Sequence, residues 1–273
     1  MRILESVGKV ELPDSRVAVC GDWHGNIVAL RRLAPAIATL APEVKSVLQL
    51  GDWSMNTAQS DSILAAAGIE RVYVTLGNHE PWGSISPLLD TRPGEAIRVS
   101  ELTWLLPRPA RLLIGGREVL SLGGAASVDR PWRREGKDWW SDEAITDAHV
   151  EAAIAGGPAD VMLTHETPNG TPVRSVRRVL RGNPFGFPAS ALIASAESRA
   201  RVDAVWDATH PKLLLHGHMH VAGPGVTDDG RRVISLGRDG EAGHLAFLNM
   251  SGLEVEMPSI HDIRNVSTRS WEI

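Results

Sequence analysis

The sequence predicts an α/β domain with a second sheet completed late in the chain. Three observations carry this. Short apolar runs of strand length alternate with helix-like stretches, several of those runs stop at a glycine followed by a polar residue, and strands crowd together near the C-terminal end. The chain has 273 residues, 43% of them hydrophobic and 22% charged, and no long Gly/Ser or Pro run divides it. Residues 1–273 therefore read as one domain.

Residues 16–20, Arg-Val-Ala-Val-Cys, read as a buried strand running into Gly21-Asp22-Trp23-His24-Gly25-Asn26. A helical pattern follows over 27–40, weakened in its middle by Pro35. Residues 46–50 form the next strand and end in Gly51-Asp52-Trp53, and 57–67 look helical. A third strand, 71–76, ends in Gly77-Asn78-His79-Glu80. The second half repeats the habit: 118–122 leads into Gly123-Gly124, 160–164 into His165-Glu166, and 212–215 into His216-Gly217-His218-Met219-His220. Helices are expected near 142–155 and 188–208, and closing strands at 232–236 and 244–249. No internal repeat is visible. The polar tail, 251–273, has no pattern, and Trp271 is the one residue there suited to dock it.

Composition narrows the classes. A formal charge of −5 argues against a broad basic surface for nucleic acid, though a local patch remains compatible with it. Cys20 is the only cysteine, so no internal disulfide forms, which suits a reducing cytoplasm. The opening residues have no apolar core of a signal peptide, and no stretch approaches the roughly 18 apolar residues of a membrane span, so no membrane partner is expected. Tryptophan is over-used, nine against three Phe and one Tyr, which serves packing first and ligand stacking second.

The polar residues past the strand ends carry the chemistry. In open α/β sheets that edge is where sites are built. Taken singly, Asp22, Asp52 and Asn78 are ordinary helix caps or turn residues. Together with His24, His165, His218 and His220 they form a hard-to-borderline N/O donor set for two divalent ions, which at about 3.5–4 Å apart need a shared charged bridge. The i, i+2 spacing of Asp22/His24 and of His218/His220 puts each pair on one face if the backbone is extended. Neighbouring glycines let the backbone approach the ions.

In order, GDWHGN, GDW, GNHE, THE and GHMH resemble the motifs of the calcineurin-like metallophosphoesterases, from about residue 17 to 221. The resemblance implies a four-layer αββα sandwich. It implies that Asp22, His24 and His220 bind one metal, that Asp52 bridges, and that Asn78, His165 and His218 complete the second. His79 would lie by the substrate phosphate, as hydrogen-bond donor or general acid to the leaving oxygen. Manganese is the first expectation for both ions, with iron, zinc and others suited to the same donors. Two cations lower the pKa of a bridging water, supply hydroxide near neutral pH, and neutralise charge that grows during in-line displacement. The function expected is phosphoester hydrolysis, on a diester or a monoester. A nuclease, and a non-catalytic scaffold of the same fold, are the alternatives.

Two segments are candidates for a substrate cap. In 125–140, Arg130, Arg133 and Arg134 could grip phosphate, while Trp132, Trp139 or Trp140 could stack a base or wall the site; a loop simply packed by its tryptophans explains them as well. In 168–188, Arg174, Arg177, Arg178 and Arg181 read as a lid, a subunit contact or a solvated helix face. Trp23 and Trp53 are expected to line the site, His216 to have a structural or supporting role, and His149, His210, His244 and His261 to be surface residues. The pattern departs from the protein-phosphatase branch, whose second motif continues to an Asp-Arg pair; here those positions are Met55 and Asn56. Any carboxylate that orients His79 must come from elsewhere.

Overall fold

The computed structural model describes residues 1–183 and 185–269, so Trp271 lies outside the described residues. The first half runs β1 (Glu5–Val7), β2 (Val10–Leu12), β3 (Arg16–Cys20), α1 (Ile27–Leu40), β4 (Ser46–Gln49), α2 (Thr57–Ala66), β5 (Arg71–Val74), α3 (Trp82–Thr91), β6 (Ala96–Arg98) and β7 (Thr103–Leu105). Then come β8 (Ala110–Ile114), β9 (Arg117–Leu122), α4 (Asp147–Ala155), β10 (Val161–Thr164), α5 (Arg174–Arg181) and α6 (Ala189–Thr209). The chain closes with β11 (Leu213–His216), β12 (Gly223–Val226), β13 (Arg232–Ser235), β14 (Leu245–Asn249), β15 (Val255–Glu256) and α7 (Ile260–Arg269).

Strand alternation builds the layers. In β3, Ala18 and Cys20 point one way, into a core with Val47, Val72 and Val74 beneath α1, α2, α3 and α7. Val17 and Val19 point the other way, where with Leu48 and Tyr73 they meet Val119, Val161, Leu163, Leu213 and Leu215 of the second sheet. The far face of that sheet, Leu120, Met162 and Leu214, packs under Ala153, Val176, Val202 and Trp206 of α4, α5 and α6. The order is helix, sheet, sheet, helix, which is the four-layer αββα sandwich. The first sheet is ordered β1-β6-β7-β5-β4-β3-β14-β15 and the second β12-β13-β11-β10-β9-β8-β2. β3, β4 and β5 are parallel, as are β9, β10 and β11, so both sheets deliver their strand ends to one rim.

Several elements differ from expectation. β1, β6 and β7 are three residues each, too short to show a period. α3 contains Pro87, which reads as a helix breaker. α7 lies in the tail that reads as patternless; it packs on α1, with Ile263 buried in the core beneath. Cys20 is a buried hydrophobe, as expected.

Two histidines are not plain surface residues. His244 is buried, its carbonyl accepting from Gly21 N at 3.0 Å. His149 closes a capping box at the start of α4: its backbone N donates to Thr146 Oγ1 at 3.3 Å while its Nδ1 accepts from Thr146 N at 3.2 Å. Burial, then the charge of Arg108, lowers its pKa to about 4. The unfolded chain therefore binds a proton that the folded chain refuses. Stability present above about pH 6.5 should be lost as pH falls toward 4, when protonation also removes the Nδ1 acceptor. Urea titrations across that window should show a shallower decline for His149→Gln than for the parent chain.

Candidate metal centre

The site forms where the strand-end turns of the two sheets meet. Asp22 and His24 follow β3, Asp52 follows β4, Asn78 and His79 follow β5, His165 follows β10, and His218 and His220 follow β11. Most non-glycine residues avoid positive φ, but Asp and His tolerate it better than most. Here His24 (44°), Asp52 (52°), His218 (65°) and His220 (54°) all adopt it. Such strain persists where surroundings over-determine the backbone, and it gathers at working sites. It also corrects the alternation argument: His218 and His220 sit in a left-handed turn, not on an extended strand, and the His220 ring packs on His24 while that of His218 packs on His165. Gly51 (φ 94°) is required on two counts, since a Cβ there would collide with the His165 ring.

The Asp22, His24, Asp52 and His220 ligand atoms lie within 4.8 Å of one another. His220 Nε2 is 3.0 Å from Asp22 Oδ2, and His24 Nε2 is 3.6 Å from Asp52 Oδ2. On the other side of Asp52, His165 Nε2 is 3.3 Å from Asp52 Oδ1 and 2.9 Å from Asn78 Oδ1. The His218 ring is 4.9 Å from that of His165, but its Nε2 faces Glu166 Oε1 at 3.9 Å. The structure thus brings six expected ligands into two sets sharing Asp52, with His218 beside the second set and turned toward Glu166.

Electrostatics describe a centre short of positive charge. Burial opposes protonation of His24, yet the nearby Asp52 carboxylate, the bond to Asp239 and the field of Asp22 raise its pKa to about 9. For His165 burial again opposes, and Asp52 followed by Asp22 raises it to about 10. Burial also opposes the charged form of Asp52, but His165 and His24 prevail and hold it well below its ordinary value. Oδ2 of both Asp22 and Asp52 is buried without a hydrogen-bond partner; the nearby His220 nitrogen is not angled to donate. Buried charged oxygens are normally paired or bound to cations. Mixed carboxylate, amide and imidazole donors with orphaned oxygens fit divalent metal ions.

Supporting residues escaped the sequence reading. Asp239, from the turn before β14, meets His24 Nδ1 with Oδ1 at 2.8 Å, accepts from Asn26 Nδ2 with Oδ2, and donates its own N–H to Asp22 O at 2.8 Å. Asn78 Nδ2 donates to Ser127 Oγ at 2.9 Å, and Ser127 in turn bonds buried Glu143 twice at 2.8 Å, which leaves Asn78 Oδ1 facing His165. Glu80 accepts from Trp53 N (2.9 Å), Ser54 N (3.2 Å) and Gly77 N (3.2 Å), tying the Asp52 turn to the Asn78 turn. Asp239 and Glu143 had no sequence signal, being remote from every motif. Glu80 and Glu166 stood inside motifs, beside louder histidines. His216 is buried, hydrogen-bonded to Thr167 Oγ1 at 3.1 Å, which agrees with a structural role. Trp23 and Trp53 do not line the site but lie in the core under α1.

The cap residues divide. Arg133 reaches His79, with Nη2 3.1 Å from Nε2 and in contact with Nδ1. Asp129 Oδ2 holds Arg133 Nε at 2.8 Å, so a carboxylate reaches His79 through a guanidinium. Arg130 lies 3.6 Å above the Trp139 ring. Arg134 and Trp132 are exposed. Met55 is buried and Asn56 caps α2, accepting from Gln59 N at 3.2 Å.

A four-layer sandwich with metal-type donors at the shared rim defines a metal-binding α/β protein. Residues 15–222 match the sequence model of the calcineurin-like phosphoesterases, and the chain belongs to that family. No curated protein sequence matches it. Among solved structures it is similar to a dimetal phosphatase from Danio rerio, at 12% identity and TM-score 0.52, covering 87% of this chain and 93% of that one. It is also similar to TT1561 of Thermus thermophilus, at 13% identity and TM-score 0.51, covering 90% and 99%. At such identities these likenesses speak to the fold. Among the described residues no helix is long and apolar enough to cross a membrane.

Asp239 lends itself to a direct test. Partners on the outer nitrogen of a ligating His fix its tautomer and orientation, and losing them weakens metal affinity about 10–100-fold. Asp239→Ala should show that loss in competitive metal titrations, with thermal unfolding of the metal-free protein little changed.

Proposed function

We propose that the chain is a phosphoester hydrolase that works with two divalent ions. Asp22, His24 and His220 hold one ion, Asn78, His165 and His218 hold the other, and Asp52 serves both. The observation that carries this is the pair of buried, unpartnered oxygens on Asp22 and Asp52 amid imidazoles. His218 would take part by turning its ring from Glu166. When bound, two such ions supply a hydroxide nucleophile near neutral pH and offset charge on the phosphoryl oxygens.

The chain's own groups do the rest. Arg133, anchored by Asp129, offers a fixed guanidinium to a phosphate oxygen at the His79 edge. In this reading His79 serves the departing oxygen as hydrogen-bond donor or general acid. Arg130, Arg134 and Trp132, chain neighbours of Arg133, are assigned to substrate contact in the same reading. We favour manganese, from the oxygen-rich mixed donor set. The lone, buried Cys20 suits a reducing compartment, and we assign the protein to the cytoplasm.

The test is turnover of an aryl phosphodiester against the matching monoester, on protein stripped of metal and then reloaded with Mn²⁺. Metal-restored hydrolysis supports the reading, and the preferred ester separates diesterase from phosphatase work. Two ions bound with neither ester cleaved would count against it.

A further inference from the structure

Two segments beside the centre meet in space and share a composition. From 168 to 188 the chain carries Arg174, Arg177, Arg178 and Arg181 and no acidic residue, although the whole sequence is net −5. α5 buries Val176, packs Leu180 beside it and leaves all four arginines exposed. Among the described residues none of the four makes an ion pair with a carboxylate, whereas Arg16, Arg117, Arg133 and Arg231 do.

The ends of this segment flank the centre. At its start Ser175 Oγ donates to Ala222 O at 3.0 Å, two residues past His220. Beyond α5, the Phe187 ring lies 5.5 Å from Trp132 and 5.8 Å from Phe185. Trp132 immediately precedes Arg133, the residue in contact with His79. A row of cations therefore begins on the His220 side, and an aromatic trio ends on the His79 side. Trp132 is 61% exposed and Phe185 75%, far more than packing asks of such rings.

We propose that this surface binds single-stranded nucleic acid, with Trp132, Phe185 and Phe187 stacking bases and the α5 arginines taking phosphates that flank the one at the centre. Aromatic platforms with a cationic track are how single strands are held without sequence preference. A duplex keeps its bases stacked on each other and offers no free face to these rings. A mononucleotide would leave the arginine row, about 10 Å along seven residues of helix, without an anion. Cleavage of the strand rests on the hydrolase reading above; its binding does not.

The experiment is fluorescence anisotropy of a labelled ten-nucleotide oligo-dT with the full chain in EDTA, where nothing is cut. Saturable binding is expected, weakened by salt, with Trp132→Ala and Phe185→Ala each losing roughly 5-fold or more in affinity. Arg177→Ala/Arg178→Ala should lower the salt slope by about 0.7 for each phosphate that the variant no longer neutralises. Both aromatic sites are exposed, so their variants keep the core intact. The proposal is overturned by absent binding, by variants that bind like the parent, by a matching duplex that binds as tightly, or by dTMP that competes as well per nucleotide. Ester hydrolysis without strand binding sinks this proposal alone; strand binding without ester hydrolysis sinks only the hydrolase reading.

Discussion

Asp52→Asn is expected to strip the protein of metal, taking bound ions from about two per chain to one or none. The substitution is nearly isosteric and keeps an oxygen at Oδ1, which accepts from His79 N at 2.7 Å, so the turn should hold its shape. What disappears is the charge that lies between His24 and His165. Outer partners of metal ligands are worth about 10–100-fold in affinity, so an inner bridging ligand should exceed about 100-fold. Elemental analysis after dialysis, alongside turnover, is the check. A variant that still holds two ions tightly would remove Asp52 as the bridge.

His79→Ala should behave in the opposite way, keeping its metal while turnover falls roughly 10²–10⁴-fold. The imidazole lies at the edge of the donor set, with its ring 6.3 Å from that of His24, and it contacts Arg133 instead of a carboxylate. Burial lowers its pKa first, Asp52 opposes, and the charge of Arg133 lowers it further. A residue that protonates the leaving oxygen matters most when that oxygen is a poor leaving group. The deficit should therefore be larger for an alkyl ester than for a nitrophenyl ester. An equal deficit on both would point to phosphate positioning instead.

How much of this was legible in the sequence depended on locality. Asp22, His24, Asp52, Asn78, His165 and His220 each sit within a few residues of a strand end, so an apolar run followed by Gly and a polar residue exposes them one by one. The four layers follow from alternation such as Val17/Ala18/Val19/Cys20, which divides one strand between two cores. Asp239, Ser127 and Glu143 were illegible, because their partners His24 and Asn78 lie far away in the chain and no local pattern marks them. Trp23 and Trp53 misled for the reverse reason: motif neighbours of site residues, they point down into the core. Arg133 was readable as a phosphate-type cation, but only the folded loop shows it lying against His79.

Asp22, Asp52 and Asn78 hang from one sheet, whereas His165, His218 and His220 hang from the other. The donor set is therefore a seam between two slabs, whose contact farther down is mainly apolar and non-directional, made by side chains such as Val19, Leu48, Leu163 and Leu215. Leu50 O, met by His165 Nδ1 at 2.6 Å, and the Thr75 Oγ1–Ser121 Oγ hydrogen bond at 2.8 Å are polar rivets across it. Any slip of one slab over the other changes ligand spacing directly. Affinity for the ions is thus set partly by hydrocarbon packing well below the rim, and ions in the seam would in return lock the slabs in register.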